Sequence, residues 1–195
     1  MEVEFGDAIS TTFASAPPSS MVSCPAWGAD AEEKKLAADI SKAPSASAVR
    51  KHSESLGEQA GVYILQKILL NKNVDYDDNC LHIYSGANVF NAVYAYPNLK
   101  KPIGIIIIET KGGSSQCGSR KSAFDSSRVT QGTVDYAETE AEVMSCSSKS
   151  DVSEMGECIN KNMGKGKIIY VGVRAPYDKG KGIAYEPEII FLKEL

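Results

Sequence analysis

The chain has 195 residues and a mass of 20.9 kDa, which suits one domain with a tail and is small for two. With 43% hydrophobic and 24% charged residues, a core is expected and collagen-like or wholly disordered readings are excluded. The longest apolar stretch, Ile103–Ile108, is far short of a membrane span, and the N-terminus, MEVEFGDAIS, lacks the basic-then-apolar order of a conventional signal peptide. The net charge of −4 argues against a uniformly basic nucleic-acid binder. Its distribution is uneven. Residues 98–130 carry six basic residues against two acids, residues 159–182 six against one, and residues 131–158 one against seven. Two basic stretches flanking an acidic one suit a phosphate-binding face, although solvated surface charge accounts for them equally well.

Residues 1–48 are rich in Ala, Ser and Pro and read as a loosely structured extension, with one short helical candidate at Asp30–Ser41. Ser55–Leu70 places Leu56, Ala60, Tyr63, Ile64, Lys67 and Ile68 on one stripe, predicting an amphipathic helix. Strands are expected at Leu81–Tyr84, Val89–Tyr96 and Ile103–Lys111, with PNLKKP as the turn between the last two. After the loop GGSSQCGSRKS, Thr133–Ser145 is predicted helical with Tyr136, Ala137, Ala141 and Met144 facing inward; strands at Lys167–Arg174 and Glu188–Leu192 follow. Helix, three strands, helix, strand, strand is an α/β or α+β order built on a central mixed sheet flanked by helices.

Five cysteines without CxxC spacing and only two histidines make a zinc finger or ribbon very unfavourable and exclude an HNH-type site. Cys146 and Cys158 bracket a polar segment and are close enough in sequence for a disulfide; isolated thiols are the favoured alternative.

The chemistry concentrates in IGIIIIETKGG. An almost continuously apolar strand implies cover on both faces, so its charged ending, Glu109-Thr110-Lys111, must sit at the rim of the core. Period-two alternation puts Glu109 and Lys111 on one face, roughly 7 Å apart. With the turn centred near Lys100, opposed residues have numbers summing to about 200 in the antiparallel pair, which sets Asn91 of VFNAVYAY against Glu109 at roughly 5 Å between Cβ atoms. A one-residue slip would send Asn91 to the other face.

FNAVY, a short turn, IIIIETKGGSS, GSR and QGTVDY, in that order, resemble the PD-(D/E)xK nucleases of the restriction-endonuclease-like superfamily, in particular nuclease domains at the C-termini of bacterial polymorphic toxins. The resemblance covers about residues 55–195, with a domain at 49–195 after the extension. It implies a restriction-endonuclease-like core and metal-dependent hydrolysis of DNA. Glu109, residue 91 and the backbone carbonyl of Thr110 would hold Mg²⁺ or Mn²⁺, with Glu58 supplying a further carboxylate, or else serving as an exposed helix acid. Lys111 would orient or help deprotonate the attacking water. Gln131 would point from the second helix toward the site, and Ser114, Ser115, Arg120 and Lys121 would meet phosphate, ordinary loop and cap roles being about equally favoured. The chain departs from the family in one respect: its metal-binding Asp is Asn91 here, an amide that brings no negative charge, so the implied activity is reduced or lost. The resemblance further implies delivery into a target cell by a specialised secretion system, and a cognate immunity protein whose acids would meet the basic stretches around Arg120 and Lys161–Lys181, or which would instead cover the acidic 131–158 segment and distort the site from outside. Two other classes compete: a non-catalytic interaction module derived from the same fold, and a cysteine-dependent enzyme using Cys117 and His82.

Overall fold

The computed structural model describes residues 26–27 and 31–195; Cys24 and most of the Ala/Ser/Pro-rich extension lie outside the described residues. The fold is mixed α+β, with four α-helices and a five-stranded mixed sheet among the described residues. Strands β1 (Leu81–Ile83), β2 (Ala92–Tyr96) and β3 (Gly104–Gly112) form an antiparallel meander, β6 (Ile168–Ala175) lies parallel to β3, and β9 (Glu188–Glu194) closes the far edge antiparallel to β6. Two ribbons lie outside this sheet: β4 (Ser119–Lys121) with β5 (Arg128–Thr130), and β7 (Tyr177–Asp178) with β8 (Ile183–Ala184).

The doubly apolar reading of β3 holds because the strand is third of five and covered on both faces. Ile106 and Ile108 pack with Leu56, Ile64 and Ile68 of α2 (Ala46–Asn71) and Ile40 of α1 (Ala31–Lys42). Ile105 and Ile107 pack with Ala137 and Met144 of α3 (Val134–Ser145) and Met155 and Ile159 of α4 (Ser150–Asn162). All four inward residues expected of α3 are buried.

Several boundaries moved. The segment expected as strand from Val89 starts only at Ala92, so Phe90 and Asn91 precede β2. The helix expected from Ser55 begins nine residues earlier, because Ser45 caps it, its side chain accepting from the Ala48 N–H at 3.2 Å. A domain boundary at 48/49 therefore falls inside α2, and Ile40 of α1, fully buried, belongs to the core rather than to a loose extension. The polar segment between Cys146 and Cys158 is mostly α4, whose Val152, Met155 and Ile159 form an apolar stripe obscured by Ser, Asp and Glu on the other side. Among the described residues four cysteines are free, including Cys146, exposed, and Cys158, which donates to the Leu99 carbonyl. No helix among the described residues is long and apolar enough to cross a membrane.

The basic stretches do not form one face. Lys165 and Lys167 precede β6, whereas Lys179 and Lys181 follow it, separating the two pairs by roughly 25 Å of strand. Only the latter pair lies toward the end of β3 that carries Glu109, since β3 and β6 are parallel. An inhibitor covering that end could not also engage Lys165 and Lys167 without reaching down the sheet.

Candidate active site

The β2–β3 register is the expected one: Ala92 faces Ile108 and Tyr94 faces Ile106, so Asn91 stands opposite Glu109, on the α3 side of the sheet. Glu109 is 3% exposed, and its Oε1 is buried without a hydrogen-bond partner. Asn91 Oδ1 accepts from the Thr110 N–H at 2.9 Å, which engages one of its two lone pairs.

Thr110 faces the other way, onto α2. A Cβ added to Gly61 would lie 2.8 Å from Thr110 Cγ2, and one added to Gly57 would lie 3.5 Å from Thr110 Cβ. The helix thus rests on the end of β3, bringing Glu54 and Glu58, the residues after Ser53 and Gly57, to the rim.

One cleft of about 630 Å³ takes in Glu54, Glu58, Asn91, Glu109, Thr110, Lys111, Ser115, Gln131, Tyr136 and Glu140. Of the candidate residues, Ser114, Arg120 and Lys121 do not line it. Gln131 does, from the turn before α3 and not from the helix: Gly132 takes φ +90° and Thr133 caps α3 by accepting from the Tyr136 N–H. Gln-Gly-Thr is thus one residue at the cleft, one left-handed turn and one N-cap. Gln131 Oε1 also accepts from the Gly118 N–H at 2.7 Å, fastening the loop after β3. The basic candidate Arg120 is otherwise engaged, its guanidinium paired with Glu140 Oε2.

Glu54, Tyr136 and Glu140 are cleft residues that sequence reasoning missed as site candidates. Tyr136 and Glu140, four apart on α3, share a helical face that the inward stripe identified for Tyr136 alone. Glu140 is 1% exposed, and its Oε1, like that of Glu109, is buried without a partner. Burial pushes the Glu109 carboxyl up to about 8; Lys111 beside it acts in the opposite direction, Glu140 reinforces the rise, and the Gln131 amide opposes it. Burial also raises the Tyr136 phenol, with Glu109 and Glu140 adding to the effect.

Because the folded state holds the Glu109 proton more tightly than the unfolded chain, its contribution to stability is fully present below about pH 4.5 and is lost as pH rises through about 8. Glu109→Gln stays neutral throughout. The thermal midpoint of the parent protein should therefore fall relative to that of Glu109→Gln across this window, and parallel midpoints would contradict a protonated Glu109.

Among the described residues, no group of three or more His, Cys, Asp or Glu side chains is placed to hold a metal ion. The oxygen donors of the cleft do suit a hard cation such as Mg²⁺ or Mn²⁺: an orphaned buried carboxylate oxygen costs about 1–3 kcal/mol, and a cation at Glu109 would relieve it. The fit is to a weakly held ion, because Asn91 adds no charge and its carbonyl oxygen is shared with the Thr110 N–H. Neither Cys117 nor His82 lines the cleft; His82 has Asp151 as its charged neighbour.

Comparison of the chain with protein-family models, curated proteins and solved structures returns no match.

Proposed function

We propose that the chain is a PD-(D/E)xK-type, metal-dependent nuclease domain acting on DNA, an interbacterial toxin whose catalytic power is held down by Asn91. The observation that carries this reading is the ending of β3: Glu109, with an unpartnered buried oxygen, and Lys111 on the same face, in one cleft with Asn91 and Gln131. The meander β1–β3 and the parallel strand β6 bring these groups to one end of the sheet, where α2 and α3 supply acids from its two sides.

In this reading Glu109 and Thr110 present oxygen to Mg²⁺ or Mn²⁺, with Glu58 or Glu54 reaching from α2. The ion, when bound, polarises the phosphodiester and lowers the pKa of an attacking water. Lys111 orients that water and offsets charge on the pentavalent phosphate. Gln131 and Lys111 favour the ionised form of Glu109, which is the form that accepts a cation. Delivery by a specialised secretion system and neutralisation by an immunity protein belong to the same proposal.

The test is cleavage of plasmid, linear DNA and tRNA by the Asn91→Asp protein with Mg²⁺ or with chelator. DNA cleavage that needs the metal and disappears in Asn91→Asp/Glu109→Ala and Asn91→Asp/Lys111→Ala is expected, with both variants still folded. Undiminished cleavage without Glu109 would refute the assignment. A non-catalytic module is the second reading, favoured by the amide at position 91, and it predicts no cleavage even with Asp there.

A further inference from the structure

The β4–β5 ribbon springs from the rim of the cleft: Gly118, just before β4, is hydrogen-bonded to Gln131, just after β5. Its register pairs Ser119 with Thr130, Arg120 with Val129 and Lys121 with Arg128. Alternation divides these into two faces. Arg120 and Val129 face the body of the protein, the first paired with Glu140 and the second buried in the α3–α4 core. Lys121 and Arg128 are exposed on the other face, directly opposite one another, and among the described residues neither makes an ion pair. Like charges in that relation destabilise a ribbon by a few tenths of a kcal/mol to about 1 kcal/mol, a cost that an anion lying across them would remove.

At the tip, Phe124 is 66% exposed. Its loop is tied down. Ser122 N–H donates to the Ser127 carbonyl at 2.7 Å, Phe124 N–H to Ser122 Oγ at 3.1 Å, and Ala123 N–H to Thr139 Oγ1 of α3 at 3.4 Å. The ring is therefore presented to solvent by an ordered turn. Asp125, the one acid of the ribbon, accepts from the Ser127 N–H at 3.0 Å and so belongs to the turn's own hydrogen bonding.

We infer that this ribbon is a nucleic-acid finger, in which Phe124 stacks on an exposed base of a single-stranded or locally unstacked segment while Lys121 and Arg128 hold the adjoining phosphates. An exposed aromatic ring at the tip of a ribbon that carries two cations without ion pairs, Arg128 also donating its Nε to Ser119 Oγ at 2.8 Å, is a combination suited to single strands, because every base offers a π-face and every linkage a charge. The inference rests on the nuclease reading only for placing the strand in the cleft.

Binding is measured by fluorescence anisotropy in chelator, so that no cleavage intervenes, with labelled single-stranded DNA, single-stranded RNA of the same sequence, and duplex DNA. Phe124→Ala should weaken single-strand binding by about fivefold to a hundredfold, the range of one base stack, and Phe124→Trp should restore it. The double variant Lys121→Gln/Arg128→Gln should reduce the slope of log affinity on log salt by about 1.4 for single strands. The DNA and RNA arms distinguish which strand the finger prefers. Unchanged single-strand affinity in Phe124→Ala overturns the inference, and is also the result expected if Phe124 anchors a protein partner. A salt slope unchanged in the double variant overturns it independently, should Phe124→Ala fail to fold. Failure of the Asn91→Asp protein to cleave, with the Phe124→Ala effect intact, would sink the nuclease reading and leave the finger standing.

Discussion

Replacing Asn91 by Asp is expected to convert the protein from one whose thermal midpoint ignores Mg²⁺ to one that Mg²⁺ raises by about 5–10 °C. One carboxylate oxygen can keep the bond that Asn91 Oδ1 makes to the Thr110 N–H, which leaves the second to stand opposite Glu109. Without a cation the exchange is unfavourable wherever both groups ionise: two full charges about 5 Å apart repel by about 3 kcal/mol at an effective dielectric of 20, so an Asp at position 91 should raise the Glu109 pKa still further, and the metal-free variant should melt below its parent once the pH exceeds about 8. A cation between them reverses the sign. At a concentration 100 times its dissociation constant it adds about 2.7 kcal/mol, and each kcal/mol shifts the midpoint of a chain of this size by about 2–4 °C. Thermal unfolding of both proteins in chelator and in Mg²⁺ checks this, and a variant no more responsive than its parent would show that position 91 has no part in holding a cation.

Gly112→Ala should lower stability by about 3 kcal/mol, the upper end of ordinary overpacking, whereas Gly57→Ala should be neutral or stabilising. Both glycines lie where α2 crosses the end of β3. A Cβ on Gly112 would come within 2.2 Å of the Ser53 carbonyl oxygen and 2.4 Å of Ser53 Oγ, and since one of these is backbone, the helix itself must move. A Cβ on Gly57 meets its nearest neighbours at 3.5 Å, an ordinary contact, and alanine gains up to about 1 kcal/mol over glycine inside a helix. Equilibrium denaturation of the two variants separates these cases. Because Lys111 immediately precedes Gly112, the loss in Gly112→Ala should extend to the cleft: in the Asn91→Asp background it should abolish cleavage at temperatures where the protein is still folded. Equal stability of the two variants would mean that the close approach of α2 to β3 is not as tight as the structure has it.

Much of the site could be read from the chain because it depends on short-range geometry. The apolar body of β3 implies cover on both faces, the alternation of Glu109 and Lys111 follows from the pleat, and a short turn fixes which residues of β2 and β3 are opposed, so that Asn91 is set against Glu109 without any tertiary contact. The helix ends were less legible. Ser45 is a competent cap, but it sits in an Ala/Ser/Pro-rich stretch that reads as linker, and the apolar stripe of α4 is only one residue wide per turn. The β4–β5 strands, three residues each with Val129 alone buried, are too short for any period to emerge.

The central strand, its charged ending and the residue opposed to it are legible in the chain, because they follow from a two-residue repeat and one tight turn. What surrounds them is set by tertiary packing. Arg120, a candidate for phosphate, is bound to Glu140 because α3 lies beside the ribbon; Glu140 and Tyr136 reach the cleft because α3 packs over Ile105 and Ile107; and the basic residues are divided between the two ends of the sheet because β6 runs parallel to β3. Each of these depends on how elements far apart in sequence settle against a shared core, where burial of apolar area sets the arrangement and the charged residues take whatever partners it brings within reach.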